Sequence, residues 1–99
     1  MASGAAKIVR GSFNGSGSDL DCRVVGFRPR SVRLLNVDGN TSAVWLDGMA
    51  DATMAKEITD GTKSFATTGG ITPLSDGFRL GNDADLNVAD ELVHWEASE

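Results

Sequence analysis

Ser31-Val32-Arg33-Leu34-Leu35-Asn36-Val37-Asp38-Gly39-Asn40-Thr41-Ser42-Ala43-Val44-Trp45-Leu46-Asp47-Gly48 is the stretch on which the fold turns. Val32 and Leu34 point one way and Arg33 the other, which is the period-two pattern of a strand with one wet face. Asp38-Gly39-Asn40 then interrupts the run with residues that accept the positive φ of a tight turn. Val44 and Leu46 share a face after the turn, so Trp45 takes the opposite one. Asp47-Gly48 punctuates the chain again.

Working outward, the same rhythm covers the whole sequence. Asn14-Gly15, Gly26, Asp60-Gly61, Gly69-Gly70, Asp76-Gly77 and Gly81-Asn82-Asp83 add turn signals about every eight to twelve residues. Between them, Leu20, Cys22 and Val24 are expected inward with Asp21 and Arg23 outward. Phe78 and Leu80 oppose Arg79, and Val93 and Trp95 oppose His94. Val9 and Phe13 fall in a first strand and Phe65 in a middle one. The expected fold is all-β, a β-sandwich or small β-barrel of jelly-roll type. Residues 1–7 read as a flexible arm and 8–99 as a single domain. Gly15-Ser16-Gly17-Ser18 reads as a hairpin loop. Gly48 to Thr59 departs from the alternation and reads as an irregular loop with at most one helical turn, in which Met54 and Ile58 share a face.

Composition narrows the function. The chain has 99 residues, 40% of them hydrophobic and 23% charged, an ordinary balance for one globular domain. No apolar run approaches the ~18 residues of a membrane helix, and Met1 to Arg10 lacks the apolar core of a secretory signal. The single cysteine, Cys22, forms no internal disulfide, so folding in a reducing cytosol is expected. Net charge is −5 but uneven: residues 1–35 carry +4, residues 36–75 carry −3 and residues 76–99 carry −6. Nucleic-acid binding is disfavoured without clustered cations. The charged blocks either form opposite faces that meet on neighbouring subunits or interleave on one sheet surface.

Catalytic chemistry finds little to use. His94 is the only histidine and reads as a surface or interface residue. Cys22 is expected buried and inert. Asp19 and Asp21 share an outward face, the common state of a solvated strand. Asp83-Ala84-Asp85-Leu86-Asn87 opens like a calcium loop, but Val88 stands where glycine belongs and His94 where glutamate belongs. A polar turn, or a looser calcium site at Asp83 and Asp85, remains. No cofactor and no enzymatic activity are expected.

Two features read as contact surfaces. Trp45 lies opposite Val44 and Leu46, so either one of those faces meets a partner or both are covered within the monomer; Trp is enriched at interface hot spots. Arg28, Arg30 and Arg33, beside Arg23, form a basic patch that either docks an acidic neighbour or sits at solvated strand ends. With Met49, Met54 and His94, these residues make up the candidate interface.

Gly11-Ser12-Phe13-Asn14-Gly15, then Val25-Gly26-Phe27-Arg28-Pro29 and Val32, resembles a pattern in small β-domains of tailed-bacteriophage virion proteins. Gly70-Ile71-Thr72, Asp76 to Gly81, Ala84 to Asn87 and His94-Trp95-Glu96-Ala97 are similar to the same group, where a final hairpin ends in His-Trp. The resemblance implies a structural β-domain with a corner at Gly26 to Pro29. It implies a capsid decoration (cement) protein on the virion surface, often a homotrimer, with the major capsid protein and itself as partners. A tail or tail-fibre component contacting a receptor or glycan through Trp45 or Trp95 is the alternative. A stand-alone chain of this size suits the cement role.

Overall fold

The computed structural model describes residues 7–99, so all but the last residue of the expected arm lies outside the described residues. Eight strands and no helix make up the described chain: β1 (Ile8–Asn14), β2 (Leu20–Cys22), β3 (Ser31–Asn36), β4 (Thr41–Leu46), β5 (Thr53–Glu57), β6 (Lys63–Leu74), β7 (Gly77–Leu80) and β8 (Leu92–Ser98). They form one antiparallel sheet in the order β1-β8-β3-β4-β5-β6-β7-β2. The all-β expectation holds, in the form of a single sheet curled into a half-barrel.

β3 to β7 run as a meander joined by turns at Asp38-Gly39-Asn40, Asp47-Gly48, Asp60-Gly61 and Ser75-Asp76, the last one residue ahead of the expected Asp76-Gly77. β8 returns to lie between β1 and β3. β1 and β2 therefore sit at opposite edges of the sheet, and Gly15 to Ser18 is a crossover between them rather than a hairpin loop. Gly15 anchors its start through Gly15 N–H to Glu91 O (2.8 Å) and Asp90 N–H to Gly15 O (3.0 Å).

Curling is what closes the core. Thr53 pairs with Ile71, yet the next residue, Met54, pairs with Ala66, so residues 67–70 bulge out of the ladder. Bulges bend and twist a sheet. Gly69 sits at φ +70°, and a Cβ on Gly70 would meet the Ala52 carbonyl oxygen at 2.8 Å. Gly69-Gly70 is thus a kink inside β6, not the turn expected from the sequence. Beyond it, β7 brings Phe78 onto the inner face of β1 and β8. Phe78 of β7 packs edge-on to Trp95 at 5.7 Å between centroids and lies 6.5 Å from Phe13. Trp45, Met54, Ile71, Leu80, Leu86, Val32 and Val93 complete the apolar interior.

Three expectations are corrected. Met54 lies on a strand, β5, and is fully buried, so Gly48 to Thr59 is neither helical nor merely a loop. Trp45 is 1% exposed and faces the core, and its indole N–H donates to Ala50 O at 3.2 Å. Val24 is 77% exposed because β2 ends at Cys22, and Val25 turns inward instead.

Candidate interaction surface

Strand register orders the outer face of the sheet into rows, because residues opposite one another on an antiparallel ladder share a face. One row runs Arg10, Glu96, Arg33, Val44, Ala55, Phe65 across β1, β8, β3, β4, β5 and β6. The adjacent row runs Ser12, His94, Leu35, Ser42, Glu57, Lys63. Ile8, Ser98, Ser31 and Leu46 form a third on the other side. The first row is charged at its β1 end, where Arg10 Nε holds Glu96 at 2.7 Å. It is apolar at its β6 end. Phe65 is 57% exposed, Leu46 50% and Leu35 44%, with half-buried Val44 and exposed Ala55 between them. A shallow groove lined by Arg33, Leu35, Val44, His94 and Glu96 crosses this face.

The structure divides the expected interface residues. Arg33 and His94 lie on the outer face, and Arg33 forms no ion pair among the described residues. Arg28 and Arg30 sit in the exposed β2–β3 connection, where Arg28 reaches Asp47 at 3.7 Å. Met49 packs partly against the core, and its Sδ accepts from Leu46 N–H at 3.1 Å. Trp45 and Met54 are interior and offer nothing to a partner, which corrects their placement in the interface. Trp95 is 5% exposed, so neither tryptophan supplies the glycan platform that the tail-fibre alternative needs.

Charges distant in sequence meet on the sheet surface. Arg79 grips Asp21 through Nε (2.6 Å) and Nη2 (3.2 Å), and Arg23 reaches Asp76 at 2.8 Å. The bond from Arg79 holds the Asp21 carboxyl below the usual carboxylate value. The basic and acidic blocks therefore interleave within one chain. Asp19 does not pair with Asp21 as a catalytic dyad would; Asp21 is committed to arginines.

The calcium-like segment is held by a lysine. Lys56 Nζ lies 2.8 Å from both Asp83 Oδ2 and Asp85 Oδ2. Asp83 Oδ1 accepts the backbone N–H groups of Asp85 (2.9 Å) and Leu86 (3.1 Å), making an Asx turn. Burial lowers the Lys56 pKa, but hydrogen bonds to the two aspartates outweigh it, and the net shift is upward. Asn87, the fifth residue of the motif, ties the crossover to this loop: its amide donates to Ser18 O (2.6 Å) and Gly81 O (2.8 Å) and accepts from Ser16 N–H (2.8 Å). Among the described residues no cluster of three or more metal-binding side chains occurs. Cys22 is buried, and desolvation raises its thiol pKa.

Sequence reasoning missed Leu35 and Phe65. The signal for Leu35 was the Leu34-Leu35 doublet, where the second leucine breaks the alternation and must face outward. Phe65 was placed in a strand, but its face depends on the bulge at 67–70. The fold and this surface define an all-β module with an apolar outer band. No family model, no curated protein and no solved structure matches the chain.

Proposed function

We propose that this protein is a structural assembly module that works by covering the outer band of its sheet, and that it coats the shell of a tailed-phage particle as a decoration protein. The observation that carries the reading is the outward-facing row Val44, Ala55, Phe65 with exposed Leu35 and Leu46 beside it, on a face that the described residues do not use for their core. Contiguous exposed apolar surface of this kind marks contact sites. The phage setting comes from the sequence resemblance, and the major capsid protein is the partner it implies.

Leu35, Leu46 and Phe65 are already about half-covered, so burying each contributes on the order of 1 kcal/mol. One copy on one site is therefore weak. Many copies on a repeating lattice bind firmly through simultaneous contacts. Arg33 and His94, beside the band, give the contact a polar rim. The reading assigns no cofactor and no catalytic residue.

Copy number in purified particles tests it. Quantitative mass spectrometry is expected to find hundreds of copies per particle, released together by mild denaturant. Absence from the particle, or a handful of copies confined to the tail, overturns the reading.

A further inference from the structure

Among the described residues nothing pairs with the outer edge of the first half of β6, and the hydrogen-bonding groups of that edge can be assigned. Ile58 N–H donates to Thr62 O at 3.1 Å, which makes these two residues a hydrogen-bonded pair at the head of the β5–β6 hairpin. Hydrogen-bonded and non-hydrogen-bonded pairs alternate along an antiparallel ladder. Lys56 with Ser64 and Met54 with Ala66 are then hydrogen-bonded pairs, while Glu57 with Lys63 and Ala55 with Phe65 are not. The N–H and C=O groups of Lys63 and Phe65 point away from β5, and so does the Thr67 N–H, because its planar peptide sets it opposite the Ala66 C=O. β7 does not take them, because it pairs with β6 only from Ile71 to Leu74. Lys63, Ser64, Phe65, Thr67 and Thr68 are all exposed.

Natural sheets blunt an edge with proline, inward charges or a covering element. This edge has no proline between Lys63 and Thr68, and its one charge, Lys63, stands at the hairpin tip. The geometry points to a second copy of the chain as its occupant, paired antiparallel across a two-fold axis at Phe65. That register sets Phe65 opposite Phe65 and Lys63 opposite Thr67, so the Phe65 N–H and C=O, the Lys63 C=O and the Thr67 N–H all find partners. Shifting it by two residues leaves one residue of each copy unpaired.

The side chains agree with the backbone. Phe65 lies on the outer face with Ala55 and Val44, so the two-fold joins the apolar bands of two copies edge to edge. Phe65 gains an aromatic cross-strand neighbour, and Ser64 meets Ala66. No like charges face each other, since Lys63 meets Thr67. The resulting contact is isologous and gives a dimer, whereas the trimer implied by resemblance needs a different, head-to-tail contact. The inference stands apart from what the assembled protein coats.

Sedimentation equilibrium over a concentration series, together with amide exchange on the unsubstituted protein, tests it. The expected result is a concentration-dependent dimer of the 10.4 kDa chain. Phe65→Lys, which sets like charges opposite each other, is expected to raise the dimer dissociation constant about tenfold or more. Phe65→Pro removes an N–H that faces away from β5 and is expected to abolish the dimer while the monomer stays folded. Amide exchange needs no variant: Phe65 and Thr67 should gain protection as concentration rises, while Ser64 and Ala66 stay protected throughout. A chain that remains monomeric at millimolar concentration overturns the proposal. So does an oligomer indifferent to both variants, or a Phe65 amide whose exchange ignores concentration.

Discussion

Replacing Trp45 with alanine removes the largest fully buried side chain of the core. At 1% exposure there is no solvent to fill the space, so the loss combines transfer and cavity terms, about 3–5 kcal/mol for an aromatic truncated to alanine. The lost indole hydrogen bond adds little. Ala50 O also accepts from Thr53 Oγ1 at 2.6 Å and keeps a partner. A domain of this size has about 5–15 kcal/mol of stability in all, so the variant forfeits a large part of it. Urea unfolding followed by circular dichroism is the assay, at low protein concentration so that self-association does not contribute. With a slope of about 1–3 kcal/mol per molar, the midpoint should fall by more than about 1 M. Leu46→Ala, one residue away and 50% exposed, is the control and should cost under about 1 kcal/mol. If Trp45→Ala proves nearly neutral while Leu46→Ala is severe, β4 carries its faces the other way and the core assignment fails.

Gly77→Ala should lower the melting temperature sharply, because its Cβ would stand 1.8 Å from the Cys22 carbonyl oxygen and force β2 off β7; a stability unchanged in calorimetry would contradict that contact. Lys56→Met should cost about 2 kcal/mol, since it strips a largely buried ammonium from Asp83 and Asp85. Because the folded Lys56 pKa is raised above 10.5, its stabilisation is complete below that pH and is lost as pH rises through the folded value; the gap between wild type and Lys56→Met should therefore close in strong alkali. Asp21 has the opposite sign: its folded pKa is lowered below 3.8, so the Arg79 pair stabilises above 3.8 and fades as pH falls, and Asp21→Asn should flatten that acid limb of the melting curve. Cys22 should react with a thiol reagent only under unfolding conditions, and rapid labelling of the native protein would place it outside the core.

The strands that were legible are those that carry two successive apolar inner positions. Val32 and Leu34, Phe78 and Leu80, and Val93 and Trp95 announce their buried faces by alternation alone. β5 was illegible because one of its inward residues is a lysine. Lys56 shares the inner face with Met54, and only Asp83 and Asp85, far along the chain, make that position tolerable. The same ion pair disguised itself as a calcium motif. The order of strands was hidden for a different reason. Register across β1, β8 and β3 is a long-range property, and the kink at Gly69-Gly70 looks in sequence like any other turn.

The surface was partly legible. Arg33 and His94 were placed outward by alternation, and they border the apolar band. Trp45 was read as a contact candidate because aromatic residues favour interfaces, yet the pleat turned it inward and left Leu46 outside. What a tryptophan contributes depends on its phase within the strand, and that phase is fixed by the neighbours Ala43 and Thr41, which also face the core.

Electron cryomicroscopy of the purified particle tests the central claim most directly. The account predicts the chain on the outer shell with Leu35, Val44, Leu46 and Phe65 covered, by the shell or by a second copy. Density for the chain only in the tail, or on the shell with that band open to solvent, would contradict it.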